Sequence, residues 1–269
     1  MVRLAFHNRQ VSIRMRCMDR GTFAEEYDAV ISRPRLRRMY GTSGYFNVGY
    51  WTEGITNLVA ACDRMVDELA DAVPAGAVVV LDVGCGLGEA TRRLVDRFPR
   101  ALVIGANISV WQLSEARGRG VRATVAMDAV RMAVGSGTAD AVLAIESAQH
   151  FGTRADFFAE AHRVLRPGGT LALADMLFRD AAIGQWMLPS ANLASTPDEY
   201  AKTLAAAGFV DVTVRDITDV SWRPFCAEMR RDLAGPEEPM RAVEDSLAHY
   251  VLAFARRAPG GAHSTPVTA

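Results

Sequence analysis

The sequence predicts an α/β protein built on a doubly wound, seven-stranded sheet, and two observations carry this prediction. From residue 78 onward, short apolar runs alternate with segments of helical periodicity, which is the pattern of βα units around a parallel sheet. The first run, VVVLDV at residues 78–83, enters a glycine-rich turn, GCGLG at residues 84–88, and a helix follows. With 269 residues, of which 50% are hydrophobic, the chain is long enough to bury one elaborated core of this kind.

An N-terminal helical cap is expected ahead of the sheet, over residues 1–75. The sequence TFAEEYDAVI, around residues 22–31, is typical of an amphipathic helix, which we expect to end at Pro34. The stretch GTSGYFNVGYW, at residues 41–51, is rich in glycine and aromatic residues and suits a loop. A second helix is predicted from about Asn57 to Ala72.

The core is expected to span residues 76–258. Its strands are predicted at residues 78–83, 101–106, 122–126, 139–145, 169–175, 209–217 and 249–256, and its helices at about residues 88–97, 109–118, 154–165 and 197–207. Pro167, Gly168 and Gly169 predict a sharp turn into the fifth strand. A helical insertion at about residues 219–248 is a candidate lid over a site, and residues 259–269 are expected to be a disordered tail.

Composition excludes several classes of function. The formal net charge is −1, from 30 basic and 31 acidic residues, so neither nucleic acid nor a membrane is an expected partner. The chain has no run of about eighteen apolar residues and no secretory signal pattern, which predicts a cytoplasmic protein. The four cysteines are scattered without a CxxC pair, and the histidines do not cluster with acidic residues. We therefore predict neither a disulfide scaffold nor a metal site.

The glycine turn has the spacing GxGxG and not GxGxxG. A dinucleotide site normally uses the wider spacing to seat a pyrophosphate, so the shorter form favours the amino-acid part of S-adenosylmethionine. Asp82, at the end of the first strand, can receive the ammonium group of such a ligand. Asn107 ends the second strand and Asp128 follows the third, at the strand ends where open α/β sheets bind ligands. A tight βα turn that binds nothing is the alternative interpretation of the glycines.

Five segments in order across residues 78–180 resemble the class I S-adenosylmethionine-dependent methyltransferases, whose sheet is Rossmann-like: DVGCGLG, GANIS, AMDA, ADAVLAIESAQHF and VLRPGGTLALADM. Many relatives have Asp or Glu where this chain has Asn107, which can accept and donate hydrogen bonds but without charge assistance. This asparagine and the YFNVGYW loop resemble the subgroup of sterol and tocopherol C-methyltransferases and of natural-product O- and C-methyltransferases.

The resemblance implies S-adenosylmethionine as the cofactor and S-adenosylhomocysteine as the product. By this resemblance, the methionine part would lie among Asp82, Gly84, Gly86 and Gly88, the ribose at Asn107 and Ile108 with Gln112 close by, and the adenine at Asp128 and Ala129. Glu146 is expected near the cofactor, with Tyr45, Asn47 and Tyr50 in a loop that covers its sulfonium or bonds its carboxylate. Simple packing of this aromatic loop is the alternative.

Methyl transfer is a direct displacement, so alignment and exclusion of water should supply most of the rate. An oxygen or nitrogen acceptor must also lose a proton. His150, at the end of the fourth strand, is the natural base because an imidazole titrates near about pH 6.5. Resemblance to sugar and natural-product O-methyltransferases supports a pair of His150 and Asp175, in which Asp175 would orient the imidazole or hold the acceptor. A purely structural histidine is the alternative.

The favoured function is therefore O-methylation of a hydroxyl on a small secondary metabolite, as in antibiotic biosynthesis. Methylation of an activated or isoprenoid carbon, or of nitrogen, is the alternative chemistry, and a nucleotide-dependent oxidoreductase or a non-catalytic scaffold is the rival class. Seven residues are candidates to line an apolar acceptor pocket: Trp51, Trp111, Phe151, Met176, Trp186, Trp222 and Phe225. A homo-oligomer formed through residues 1–40 is a further hypothesis.

Overall fold

A seven-stranded sheet with helices on both faces forms the centre of the protein, as a computed structural model describes it for residues 20–179, 188–193, 196–233 and 237–260. The strands are β1 (Val79–Val83), β2 (Leu102–Asn107), β3 (Thr124–Ala126), β4 (Ala139–Ile145), β5 (Leu165–Phe178), β6 (Phe209–Asp216) and β7 (Leu247–Arg257). Their order in the sheet is β3-β2-β1-β4-β5-β7-β6, and only β7 runs antiparallel to its neighbours. The predicted α/β fold with a doubly wound sheet is confirmed.

Nine helices surround this sheet in the described part of the chain: α1 (Arg20–Ile31), α2 (Pro34–Tyr40), α3 (Leu58–Ala70), α4 (Glu89–Arg97), α5 (Val110–Gly118), α6 (Arg154–Val164), α7 (Pro197–Ala206), α8 (Trp222–Leu233) and α9 (Glu237–Ser246). Side chains that accept a backbone N–H begin several of them, as Asn57 does for α3 and Ser109 for α5. The expectation that Pro34 only ends a helix is incomplete. It is the first residue of α2, where its fixed φ suits a helix and its missing N–H costs no bond.

The predicted turn at Pro167–Gly169 is a bulge within a longer strand. Ala139 of β4 pairs with Leu165, and Ala141 pairs with Thr170, so the register between β4 and β5 shifts across this stretch. Gly168 has a φ of +82°, which its lack of a side chain allows. The strand β5 therefore begins at Leu165, four residues earlier than predicted.

The two faces of the sheet bury separate hydrophobic clusters. One cluster joins the N-terminal segment to the sheet and to α8, and includes Tyr40, Met65, Leu143 and Trp222. The other packs α6 and α7 against the opposite face. Because residues on both sides of position 75 share one cluster, the described part of the N-terminal segment packs directly on the core.

Two predictions concern residues beyond the limits of the described ranges. Residues 1–19, which belong to the segment proposed to join subunits, lie outside them, as does the predicted tail from residue 261 onward. Within the described ranges, none of the helices has the length and apolar character needed to cross a membrane. In the same ranges, residues that could ligate a metal do not gather in groups of three or more.

Candidate active site

A cavity of about 740 Å³ lies at the carboxyl ends of β1, β2 and β4, between the sheet and α1. Most of the residues predicted to bind the cofactor or to act in catalysis line it: Tyr45, Asn47, Asp82, Gly84, Gly86, Asn107, Ile108, Gln112, Asp128, Ala129, Glu146 and His150. Two predicted residues, Gly88 and Asp175, do not. The parallel strands bring these positions to one edge of the sheet, although they span more than a hundred residues of sequence.

The glycine turn brings bare backbone to the cavity wall. Gly84 and Gly86 have φ values of +80° and +55°, in the left-handed region that favours glycine. A Cβ at Gly84 would overlap Ser147 Cβ and lie 2.6 Å from Ser147 Oγ, so the first position of the motif must be glycine. A Cβ at Gly86 would meet no atom within 4 Å. The wall is therefore closed behind Gly84 and open beside Gly86.

Gly88 packs against a neighbouring helix and does not line the cavity, so its place in the cofactor site stays a prediction. It precedes α4 with a φ of +88°, and a Cβ there would lie 2.6 Å from Ala116 Cβ on α5. The absence of a side chain lets the start of α4 pack closely against α5. Sequence spacing alone does not separate a glycine that faces the ligand from one that faces a neighbouring helix.

Asp82 is a buried carboxyl group at the end of β1, with 1% of its surface exposed. Its Oδ2 accepts a hydrogen bond of 2.5 Å from Thr91 Oγ1 on α4. Burial raises the pKa of Asp82 to about 6, and the bond from Thr91 opposes this rise. A cationic group in the cavity would offset the cost of ionising this carboxyl, so the position is suited to an ammonium ligand.

The end of β2 presents two amide side chains to the cavity. Asn107 accepts a bond of 2.9 Å at Oδ1 from the backbone N–H of Ser109, and its Nδ2 donates a bond of 2.9 Å to Gln112 Oε1. Asn107 and Gln112 are both buried, at 8% and 4% exposed. Beyond β3, Asp128 accepts a bond of 3.1 Å from the N–H of Val130, and the apolar Met127 and Ala129 lie beside it. Polar and apolar surfaces thus follow one another along this wall.

Glu146 joins three parts of the chain at the end of β4. Its Oε1 accepts bonds of 2.7 Å from the backbone N–H of Val48 and from the hydroxyl of Tyr250 on β7. Its backbone φ of +50° is unusual for a residue other than glycine and directs the chain toward the site. Burial raises the pKa of Glu146 to about 8 against the opposing effect of its two hydrogen bonds. This carboxyl group is therefore largely protonated at neutral pH.

The loop at residues 41–51 forms one side of the cavity. The hydroxyl of Tyr45 donates a bond of 2.6 Å to Asp63 Oδ1 on α3, and Asn47 Oδ1 accepts a bond of 3.0 Å from the N–H of Gly49. Both side chains are almost fully buried, and both line the cavity. The loop is thus fixed from behind by α3 and from the site by Glu146.

His150 lies at the end of a short 3₁₀ helix, Ala148–His150, that follows β4. Its ring centroid is 5.1 Å from that of Tyr27 and 5.6 Å from that of Phe23, both on α1. All three side chains line the cavity. We did not predict Phe23 and Tyr27 as site residues, although their i, i+4 spacing on an amphipathic helix marked one shared face.

Asp175 does not line the cavity, so the role predicted for it, to orient His150 or hold the acceptor, stays a prediction. It is fully buried, and its Oδ2 accepts bonds of 2.7 Å from Arg154 Nε and 2.9 Å from the hydroxyl of Tyr200. Arg154 also donates to the carbonyl groups of Met176 and Asn192. A buried guanidinium needs a counter-charge, and Asp175 supplies it.

The predicted lid and most of the predicted aromatic lining lie elsewhere. None of the described residues of the insertion at 219–248 lines the cavity, because Trp222 and Phe225 on α8 are buried in the core. Of the seven aromatic and apolar candidates, Phe151 lines the cavity, Trp186 lies outside the described residues, and the other five, Trp51, Trp111, Met176, Trp222 and Phe225, do not line it. The helix α1 covers the site instead.

The residues present fit S-adenosylmethionine. The backbone at Gly84 and Gly86 leaves room for a ligand, the Asp82 carboxyl suits an ammonium group, and the amides at the end of β2 suit hydroxyl groups. The apolar surface at Met127 and Ala129 suits an aromatic base.

Comparison with known proteins gives the same result. Residues 81–173 match a family model described as a methyltransferase domain. The chain is 32% identical over 204 residues to erythromycin 3''-O-methyltransferase of Saccharopolyspora erythraea, with 67% of each chain covered. It is 32% identical over 225 residues to 27-O-demethylrifamycin SV methyltransferase of Amycolatopsis mediterranei, covering 76% of this chain and 80% of that one.

Among solved structures, the [4+2]-cyclase SpnF superposes with a TM-score of 0.73 at 26% identity, covering 90% of this chain and 97% of that one. At this coverage, the shared fold extends beyond the sheet into part of the N-terminal segment. Taken with the cavity, these matches show that the chain belongs to the S-adenosylmethionine-dependent methyltransferases and uses S-adenosylmethionine as its methyl donor.

Proposed function

We propose that this methyltransferase methylates a hydroxyl oxygen of a small natural-product acceptor, and that His150 accepts the hydroxyl proton. The observation that carries the proposal is the position of His150 in the cavity wall, at the end of β4 and facing the aromatic side chains of α1. The names of the two antibiotic-related relatives, which include an erythromycin 3''-O-methyltransferase, support oxygen as the acceptor atom.

The order of groups along the wall supports an assignment for the cofactor. We assign the methionine part to Asp82, Gly84 and Gly86, the ribose to Asn107, Ile108 and Gln112, and the adenine to Asp128 and Ala129. Tyr45 donates its hydroxyl hydrogen to Asp63, so we expect its ring to face the cofactor. Asn47 and Glu146 complete this side of the site.

When bound, S-adenosylmethionine supplies an electrophilic methyl group on a positively charged sulfur. His150 would take the proton of the acceptor hydroxyl as the oxygen receives that methyl group, with the sulfur keeping the electron pair of its former bond to carbon. Phe23 and Tyr27 on α1 exclude water and align the acceptor. Glu146, whose pKa burial raises to about 8 in the ligand-free site, holds the loop at Val48 through its hydrogen bond.

The test uses S-adenosylmethionine with a labelled methyl group and a panel of hydroxylated polyketides and glycosides. The expected product carries the label on oxygen, which carbon NMR distinguishes from label on carbon or nitrogen. Label on carbon or nitrogen would replace this proposal with C- or N-methylation. An acceptor that is converted without incorporation of label would favour a chemistry like that named for the cyclase neighbour.

Calorimetry tests the cofactor assignment independently of any acceptor. We expect S-adenosylhomocysteine to bind and NADH not to bind, and binding of NADH alone would contradict the assignment. If S-adenosylhomocysteine binds but none of the acceptors turns over, a non-catalytic scaffold becomes the better description.

A further inference from the structure

We infer that Asp28, on α1, is a positioning residue that orients the amides of Asn107 and Gln112 for the cofactor through a chain of hydrogen bonds. This inference rests on the proposed assignment of these two amides to the ribose. It adds to that site a carboxylate from a distant part of the chain.

The contacts form one continuous chain. Asp28 Oδ1 accepts a bond of 2.6 Å from Gln112 Nε2, and Gln112 Oε1 accepts a bond of 2.9 Å from Asn107 Nδ2. Asn107 Oδ1 accepts a bond of 2.9 Å from the backbone N–H of Ser109. The second oxygen of Asp28 accepts a bond of 2.7 Å from Ser109 Oγ. Both amides line the cavity, whereas Asp28 lies behind them.

The two ends of this chain determine the orientation of both amides. A backbone N–H can only donate and an ionised carboxylate can only accept, whereas a side-chain amide can do both in either of two flipped orientations. With Ser109 N–H at one end and Asp28 at the other, only one orientation of Asn107 and Gln112 makes every bond. Gln112 still has one N–H and one oxygen lone pair to offer to a ligand, and Asn107, which also bonds the Cys85 thiol, still has one oxygen lone pair.

The Asp28 carboxylate also changes how strongly the Asn107 and Gln112 oxygens accept hydrogen bonds. Hydrogen bonds to an ionised partner are stronger than neutral ones, and bonds in a chain polarise one another. Donation from Gln112 to Asp28 makes the Gln112 oxygen a better acceptor. Donation from Asn107 to the Gln112 oxygen in turn makes the Asn107 oxygen a better acceptor. The neutral amide at the end of β2 thereby gains part of the acceptor strength that an acid at this position would have.

The hydrogen bonds of Asp28 also hold in place α1, the helix that covers the cavity. Asp28 follows Tyr27, whose ring lies 5.1 Å from that of His150, and the bonds of Asp28 hold α1 on the turn between β2 and α5. The groups that orient the cofactor and the wall that faces the acceptor are therefore fixed by one side chain.

The test compares Asp28→Asn with Glu25→Gln, which removes the same charge from an exposed position on the same helix. Calorimetry is run with S-adenosylhomocysteine and with an analogue that lacks both ribose hydroxyl groups. We expect Asp28→Asn to weaken binding of S-adenosylhomocysteine about tenfold, since a hydrogen-bonded charge is lost. Binding of the analogue should change little, and Glu25→Gln should leave both ligands unaffected.

Equal losses for the two ligands would overturn the inference, because a general loss of structure does not distinguish ribose hydroxyls. An unchanged affinity for S-adenosylhomocysteine in Asp28→Asn would also overturn it. Failure of the unaltered chain to bind S-adenosylhomocysteine would instead overturn the proposed cofactor site and this inference together.

A second test moves the negative charge from position 28 to position 107. In the Asp28→Asn background, Asn107→Asp returns a carboxylate to the end of β2, and we expect it to recover most of the lost affinity. In the unaltered background, Asn107→Asp places a carboxylate on each side of the Gln112 amide and should weaken binding of S-adenosylhomocysteine. Failure of the double variant to recover affinity would show that the charge of Asp28 does not act on the ribose, which would overturn the inference.

Discussion

Two walls of the cavity are built in different ways, and residues 188–191 add to its lining. The sheet wall comprises residues 82–87, 106–108, 127–129 and 145–150, which follow the carboxyl ends of parallel strands and are fixed by the strand ladder. The helical wall comprises the inner face of α1 and residues 44–47, and it is attached by side-chain contacts to the sheet wall. Reactive groups therefore lie on the rigid side, and the shape of the acceptor space depends on the side that docks onto it.

The largest expected effect is on the sheet wall, at the proposed base. We expect His150→Ala to lower kcat at least about 100-fold, because general base catalysis contributes this much or more. The affinity for S-adenosylhomocysteine should be unchanged, since His150 is assigned to the acceptor and not to the cofactor. Steady-state kinetics with a confirmed acceptor, together with calorimetry, measure the two effects.

His249→Ala is the matched control. It also removes an imidazole, but one that bonds to Asp216 and does not line the cavity. An unchanged kcat in His150→Ala would defeat the assignment of the base, and a loss of similar size in His249→Ala would show that the assay reports stability.

The next effect contrasts two glycines within the sheet wall. Gly84→Ala should lower the free energy of unfolding by about 2–3 kcal/mol, because the new Cβ overlaps Ser147 in a left-handed backbone. Gly86→Ala should cost only about 1 kcal/mol, since it meets no atom and retains only the backbone strain. Urea unfolding of the two variants measures the difference.

A rescue variant separates contact from strain. Ser147→Gly in the Gly84→Ala background removes the overlapping side chain and should recover part of the loss. Equal destabilisation by Gly84→Ala and Gly86→Ala, without recovery, would mean that backbone strain alone requires the glycines.

The third effect concerns Glu146, where the two walls meet. Its pKa of about 8 in the folded protein exceeds the ordinary value of 4.5, so the folded state holds a proton that the unfolded state has lost. The resulting stability is present below about pH 4.5 and is lost as the pH rises to about 8, by at most about 1.4 kcal/mol per pH unit. Glu146→Gln cannot titrate and should flatten this dependence.

Urea unfolding without ligand at several pH values measures the slope. The interval from about pH 6 to about pH 8 is the informative one, because Asp82, with a pKa of about 6, titrates in the lower part of the range. The same slope in Glu146→Gln as in the unaltered chain would mean that another group is responsible.

The smallest effect tests whether the insertion belongs to the helical wall. Trp222→Phe removes the bond of 3.0 Å from the indole N–H to the Glu244 carbonyl, which should cost about 1 kcal/mol of stability. The KM for the acceptor should not change, because Trp222 lies in the core. A raised KM without loss of stability would restore α8 as a lid.

The same contrast explains how much the sequence could reveal. The sheet wall was largely predictable, because GxGxG and the polar residues at strand ends are local patterns with a fixed place in an α/β sheet. The helical wall was not, because the contacts of Asp28 with Ser109 and Gln112 cross 81 and 84 residues of sequence. An acidic residue on an amphipathic helix gives no sign of such a partner.

Asp175 and the described residues of the insertion do not line the cavity, and a related cause made this hard to foresee from the sequence. The position of Asp175 near the end of a strand does not tell which partner it meets, and the buried Arg154 claims it. The apolar residues of the insertion suggested a lid over a ligand, but burial against the core satisfies them equally well. Helical periodicity gives the existence of an apolar face but not the surface that it covers.

The hydrogen bonds of Glu146 also determine how early the site can form while the chain is being synthesised. Val48 precedes it by 98 residues and Tyr250 follows it by 104, so its two hydrogen-bond donors come from opposite ends of the described chain. Contacts of such long range have a large entropic cost of loop closure. A nascent chain can close the loop at Val48 onto Glu146 early, but the carboxyl group gains its second donor only after β7 has left the ribosome and entered the sheet.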